Sequence, residues 1–310
     1  MVVCWIFVVG TLAMNASAPG PRLSANHAFN EKAKWLRRNL ADGKCDVLVL
    51  GSSIALNSID AGSFAERWPN KVVNSGFWGM TSADARAMLA ALLQTCQPKL
   101  VILPTFHGDF GAEQGSFEWP QFTRYITGGV ATNIWTYARS MDIPYYALHI
   151  RDPGDDLLRE RRSYQSLNFD RIGSVNFACE NFRISPQRWD GYLGKTALPP
   201  PDPGKLAALS DIARTLQDRG IPFIVAGVPL RPVAEAALAS PPMTAFWQTL
   251  ETSVVPHGAR FMRSLASNGY EDRHFSDFVH LNACGARKWT SELLDLYRDV
   301  IDRQLRSPAN

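Results

Sequence analysis

Val47-Leu48-Val49-Leu50-Gly51-Ser52-Ser53 is the stretch that decides how this chain folds. From Asp46 to Gly51 the run is apolar and does not alternate with polar residues. It therefore reads as a short strand buried on both faces, as the strands of a parallel sheet are. Gly51 ends the run, and a turn of small residues leads toward a helix. Such a turn puts a hydroxyl at the carboxyl edge of the sheet. The backbone N–H groups there can stabilise an oxyanion. Serine is also common in such turns for capping alone, so the turn by itself does not make Ser53 a nucleophile.

Working outward, Lys71-Val72-Val73-Asn74 is a second, shorter strand. Ala83 to Cys96 places Ala85, Met88, Leu89, Leu92 and Leu93 on one face, which is a helical period, with Ser82 or Thr81 as its cap. Asp84 and Arg86 begin that helix and are expected to face solvent. Lys99 to Leu103 is a third strand, closed by Pro104. Lys205 to Arg219 is a helix with Leu206, Leu209, Ile212, Ala213 and Leu216 on its apolar face, and Gly220 ends it as a left-handed cap. Ile221 to Val228 is a fourth strand and Ala259 to Met262 a fifth. A last helix runs from about Cys284 to Leu305, with Ala286, Trp289, Leu293, Tyr297, Val300 and Ile301 spaced for burial. Strands alternating with helices predict an α/β fold, a mostly parallel sheet covered on both faces.

Residues 106–203 break this rhythm. They are rich in aromatics and arginine and end in Pro199-Pro200-Pro201-Asp202-Pro203-Gly204, a turn signal. They read as a long insertion between strands three and four. Loops at the carboxyl ends of such strands build ligand sites, so the insertion is expected to shape substrate binding. Within it, Trp189-Asp190-Gly191-Tyr192 is a candidate sugar-binding turn, since Trp and Tyr stack on sugar rings; the alternative is a tight turn with packed aromatics. Arg183 and Arg188 are candidate contacts for an anionic glycan or ordinary surface charges.

The first twenty residues form a separate segment. Val2 to Met14 is apolar, and Ala16-Ser17-Ala18 has the small residues of a cleavage site. The run is short beside the roughly 20 apolar residues a membrane span needs, and it lacks a basic flank. A signal or membrane anchor is one reading, a buried strand the other. The remaining residues, 21–310, are expected to form one domain. A formal net charge of +3, with no basic run interleaved with aromatics, argues against nucleic acid. There are five cysteines and no CxxC. Cys45 and Cys96 precede neighbouring strands and are either a disulfide or two buried thiols. His27, His149 and His257 have no partners at metal-ligand spacing, so no metal or cofactor is predicted.

The second chemical signal is His274-Phe275-Ser276-Asp277-Phe278-Val279-His280-Leu281-Asn282. A carboxylate three residues before a histidine can meet its ring within one turn of chain. It would hold the proton of one nitrogen and leave the other as a base. The plainer alternative is an Asp that caps the last helix and a His satisfied by backbone.

Taken together, these blocks resemble the SGNH/GDSL hydrolase superfamily. Gly51-Ser52-Ser53 matches its Gly-Asp-Ser block, with Ser53 as nucleophile and Ser52 in place of Asp. Asn74-Ser75-Gly76-Phe77-Trp78-Gly79-Met80-Thr81 matches the second block. Gly79 stands at its oxyanion glycine, where a side chain is expected to block the substrate. Asp277-Phe278-Val279-His280 matches Asp-x-x-His. The third block departs: Thr105-Phe106-His107-Gly108-Asp109 puts Gly108 where the family has an oxyanion Asn, so that donor is missing or comes from His107 or elsewhere. Losing one such donor typically costs about a hundred- to a thousandfold in rate. The Gly-Ser-Ser form, followed by Asn57 to Asp60, is similar to the branch that holds glycan O-acetylation and D-alanyl transfer proteins.

The resemblance implies a flavodoxin-like three-layer sandwich and a triad of Ser53, Asp277 and His280, with the N–H groups of Ser53 and Gly79 as the oxyanion site. Trp189, Asp190 and Tyr192 are the expected substrate contacts. It implies a serine-dependent O-acyl transferase or esterase, acting on a cell-envelope or secreted polysaccharide outside the cytoplasm. A membrane-bound O-acyltransferase is the implied partner. The alternative is a non-catalytic binding or scaffold protein of a polysaccharide modification or export system.

Overall fold

The structure is a computed structural model, and it describes residues 23–24, 27–68, 70–111, 117–128, 169–179, 200–238, 241–264 and 269–305. Five strands form one sheet: β1 (Val47–Val49), β2 (Val72–Asn74), β3 (Leu100–Thr105), β4 (Phe223–Gly227) and β5 (Arg260–Met262). Every pairing is parallel, and the order across the sheet is β2-β1-β3-β4-β5. The chain crosses from one side of β1 to the other between β2 and β3, which opens a crevice at the carboxyl ends of β1 and β3. Ser53 follows β1 directly into that crevice.

Alternate residues of each strand face opposite layers, and both layers are apolar. Leu48, Val73, Val101, Leu103 and Val225 pack with helices α1 (His27–Asn39), α4 (Ser82–Leu92), α5 (Trp119–Ile126), α6 (Pro203–Asp218) and α8 (Pro241–Val254). Val47, Val49, Val72, Ile102 and Ile224 face the other layer. There they meet residues of α2 (Ser53–Ser58), α3 (Ala61–Arg67), α9 (Ala283–Leu296) and α10 (Arg298–Leu305). This is the α/β three-layer architecture expected from the sequence. A short helix α7 (Pro232–Leu238) follows β4.

Four details differ from the sequence expectations. Pro104 does not close β3, which continues to Thr105 opposite Gly227. Val101 donates to the Pro222 carbonyl, just before β4, and Leu50 donates to the Ile102 carbonyl, so even-numbered positions of β3 face β1. Pro104 therefore faces the β1 side beyond the last β1–β3 pair, Val49 with Ile102, so its missing N–H removes no bond from the paired part of the ladder. The last helix is two helices, broken at Tyr297, whose backbone leaves the helical region (φ −108°, ψ 20°). Tyr297 and Val300 are only half-buried. Asp84 does not face solvent: it is buried, forms a capping box with Thr81, and accepts from Trp119 Nε1 at 3.1 Å. Arg86 is exposed, paired with Asp211 at 2.7 Å.

Two disulfides are present. Cys45–Cys96 joins the segments that enter β1 and β3, and Cys179–Cys284 ties the segment 169–179 to the first turn of α9. They close loops of 51 and 105 residues, so each constrains the unfolded chain substantially. Replacing Cys45 and Cys96 together by Ser is expected to lower stability by about 2–4 kcal/mol. In a chain of this size that is a fall of roughly 3–6 °C in Tm by circular dichroism. An unchanged Tm would show that the bond constrains nothing.

Candidate active site

Ser53 is the first residue of α2, and Gly51 makes the turn that puts it there. Gly51 has φ +133°, and a Cβ at that position would lie 2.9 Å from both Ala55 Cβ and the Pro104 carbonyl oxygen. Only glycine fits such a backbone and such a gap. Ser52 caps the helix, its hydroxyl accepting from the Ile54 N–H at 3.2 Å. At the first position of a helix, the Ser53 N–H has no intrahelical acceptor.

The loop 275–281 brings the other two residues. Phe275 and Leu281 form an isolated antiparallel bridge, and Ser276 N donates to the His280 carbonyl at 2.9 Å. Inside this loop Asp277 Oδ1 accepts from the N–H groups of Val279 and His280, both at 2.8 Å. Its other oxygen, Oδ2, lies 2.6 Å from His280 Nδ1. The three-residue spacing thus lets one carboxylate fix both the loop and the ring. Asn282 then caps α9, accepting from Cys284 and Gly285, and donates to the Cys179 carbonyl at 3.0 Å. In the segment after β4, the buried Arg231 donates its backbone N–H to the Phe278 carbonyl at 3.3 Å and grips Asp272 through Nε and a terminal nitrogen at 2.8 and 2.7 Å.

His280 Nε2 lies 2.7 Å from Ser53 Oγ. An ionised carboxylate only accepts, so Nδ1 carries the proton toward Asp277 and Nε2 is left to accept the Ser53 hydroxyl proton. Burial acts to raise the Asp277 carboxyl. The positive charge available on His280, the ring hydrogen bond and the two N–H donors outweigh it and hold Asp277 below its ordinary value.

Neither the Ser53 nor the Gly79 N–H is used by another group among the described residues. Gly79 has φ +76°, and a Cβ there would meet nothing within 4 Å. The backbone conformation itself therefore requires glycine, and the space a side chain would take beside it is open. At Gly108 a Cβ would lie 2.3 Å from the Phe106 ring, which fills the place a side chain at 108 would take. His107 is pushed down to about 4 by burial, and its Nδ1 is enclosed with no hydrogen-bond partner among the described residues. No hydrogen bond links it to Ser53, Asp277 or His280.

Asp109 is a component the sequence did not announce. It is buried, and its Oδ2 accepts from Thr105 Oγ1 at 2.7 Å and from the Phe106 N–H at 3.2 Å. Burial pushes its carboxyl up to about 6, against these hydrogen bonds and the charge of His280. Trp189, Asp190, Tyr192, Arg183 and Arg188 lie outside the described residues, as does the segment 1–20. Among the described residues no cluster of His, Cys, Asp and Glu could hold a metal ion.

Fold and site together define a class: a parallel α/β sheet carrying a linked serine, histidine and aspartate at its carboxyl edge. No family model and no curated protein matches the chain. Among solved structures it is similar to that of TesA, with 15% identity over 82% of this chain and 98% of that one, at a TM-score of 0.41. It is also similar to AlinE4, described as an SGNH-hydrolase family esterase. Identity there is 17% over 86% of this chain and 99% of that one, at a TM-score of 0.34.

Proposed function

We propose that this chain is a serine-dependent O-acyl transferase or esterase. The observation that carries the proposal is the unbroken line from Ser53 Oγ through the His280 ring to Asp277, at 2.7 and 2.6 Å. Three residues from two distant parts of the chain rarely fall into this order for packing alone. In the reaction, His280 takes the Ser53 proton as the hydroxyl attacks an ester carbonyl. The N–H groups of Ser53 and Gly79 receive the developing oxyanion, and Asp277 stabilises the imidazolium. His280 then protonates the leaving alcohol. Water or a sugar hydroxyl, deprotonated by the same ring, releases the acyl group.

The finer reading is transfer of an acyl group, acetyl by preference, to a cell-envelope or secreted polysaccharide, with a membrane-bound O-acyltransferase as donor partner. The Gly51-Ser52-Ser53 resemblance supports it, and two disulfides support an oxidising compartment outside the cytoplasm. A second reading, a non-catalytic scaffold, draws on the Phe106 ring that takes the place of a side chain at 108. Labelling with a fluorophosphonate separates the two. Mapping of the adduct to Ser53 is expected, and an unlabelled or differently labelled folded protein would favour the scaffold. Turnover of p-nitrophenyl acetate with an oligosaccharide present then distinguishes acetylated glycan from free acetate.

A further inference from the structure

We propose that Asn74 is a positioning residue for the oxyanion site, holding the loop that carries Gly79 in register with the helix that carries Ser53; this rests on the serine-dependent reading above. A nucleophile and an oxyanion donor must converge on one carbonyl group. Here they come from different turns, one after β1 and one after β2. Asn74 ends β2 and is fully buried. Its Oδ1 accepts from the Gly76 N–H at 2.9 Å, and its Nδ2 donates to the Ala55 carbonyl of α2 at 2.8 Å. The same Nδ2 donates to Ser174 Oγ at 2.9 Å. One amide is therefore bonded at once to the start of the oxyanion loop and to the helix of the nucleophile. The loop lies directly on that helix: a Cβ at Gly76 would come 2.8 Å from both Ala55 Cβ and the Leu56 nitrogen.

The plainer account is that Asn74 only makes an Asx turn, its side chain accepting from the residue two positions on. That account covers the bond to Gly76 but not the donation to Ala55. Ser75 and Phe77 also hold the loop, Ser75 Oγ donating to the Val49 carbonyl at 2.7 Å and the Phe77 N–H to the Gly51 carbonyl at 3.1 Å. Both of those bonds end on residues before Ser53, not on its helix. The helix needs support from outside, because six residues are too few to be stable alone. Its Leu56 and Ser58 carbonyls are held by the Val175 N–H and the Thr290 hydroxyl, each at 3.0 Å. Those anchors fix α2 with no hydrogen bond to the oxyanion loop; Asn74 fixes the helix and the loop to each other. Their register matters because a displacement of about 1 Å at a reacting group can cost about a hundredfold in rate.

The test compares three single variants of the full chain, read as kcat and KM for p-nitrophenyl acetate and as Tm by circular dichroism. Asn74→Ala is expected to lower kcat about tenfold or more, with KM within about twofold. The displaced N–H acts on the oxyanion, which develops only in the transition state. Thr290→Val, which unties α2 from α9 alone, is expected to lower Tm and to keep kcat within about twofold. Asn74→Asp adds a pH signature. Ionised, its carboxylate can accept from Gly76 but cannot donate to Ala55; protonated, it can do both. Its kcat relative to wild type at the same pH is therefore expected to rise as pH falls. Wild-type kcat in Asn74→Ala would overturn the proposal. So would equal kcat losses in Asn74→Ala and Thr290→Val, or a deficit in Asn74→Asp that does not change with pH. If Asn74→Ala fails to fold, the pH dependence of Asn74→Asp decides. Failure of both to fold would place the side chain's role in the fold itself and overturn the proposal. A wild type unlabelled by the fluorophosphonate would bring down the serine-dependent reading and this inference together; a labelled wild type with unaffected Asn74 variants brings down this inference alone.

Discussion

Ser53→Ala and His280→Ala are each expected to lower ester turnover by about 10⁴- to 10⁶-fold, and the variant carrying both is expected to be no slower than either alone. The reason is the geometry. His280 Nε2 has one task, to accept the proton of the hydroxyl 2.7 Å away, and that hydroxyl is a weak nucleophile until it does so. Removing either member leaves the other with nothing to do. The free N–H groups of Ser53 and Gly79 would still polarise a bound ester, so a residual rate above that in water is expected. Both variants should fold, because Ser53 and His280 are half-buried rather than core residues. The measurement is steady-state turnover of an acetyl ester, with circular dichroism as the check on folding. Losses below about tenfold in either variant, or losses that multiply in the double variant, would mean that the two residues do not act as a unit.

How much of this was legible in the sequence depends on how local the signal is. The run Val47–Leu50 and the two residues Asp277 and His280 carry their meaning within a few positions, and the structure has the strand and the bonded pair. Helices α1 and α8 add to the sequence expectation, although their periods are visible. Phe29, Ala33 and Leu36 line the buried face of α1, with Leu40 just past its end, and Met243, Phe246, Trp247, Leu250 and Val254 that of α8. The polar residues between them, such as Asn30 and Lys32 in α1, blur the stripe, and both are buried here. Pro104 was legible as a breaker but not as a strand residue, because its tolerance depends on the β1–β3 pairing ending before it. The pairing of Cys179 with Cys284 spans 105 positions and has no local signature. Asp109 is the sharpest case. In sequence it is one acid in an irregular stretch. Its burial, and its bonds to the Thr105 hydroxyl and the Phe106 N–H, show only once β3 and the turn after it are in place.

Asp277→Asn is expected to lower kcat by about 10⁴-fold while leaving the fold intact. The substitution keeps an acceptor at Oδ1 for the N–H groups of Val279 and His280, so the loop can hold its shape. What changes is the atom facing the ring. In place of a carboxylate oxygen 2.6 Å from Nδ1 there is an amide NH₂, which donates. Nδ1 must then accept, the ring proton moves to Nε2, and Nε2 presents a hydrogen to Ser53 instead of a lone pair. The base is in place but in the wrong tautomer. Stability should respond to pH in a definite direction as well. The Asp277 carboxyl lies below its ordinary value of 3.8, so its ionised form stabilises the fold above that pH, and the contribution is lost as pH falls through the depressed value. The variant has no such contribution to lose. The gap in Tm between wild type and Asp277→Asn should therefore be widest near neutral pH and narrow below about pH 4. A kcat loss under about tenfold would show that the ring is oriented by something other than Asp277. A Tm gap that widens on acidification would show that the carboxylate is not held in its ionised form.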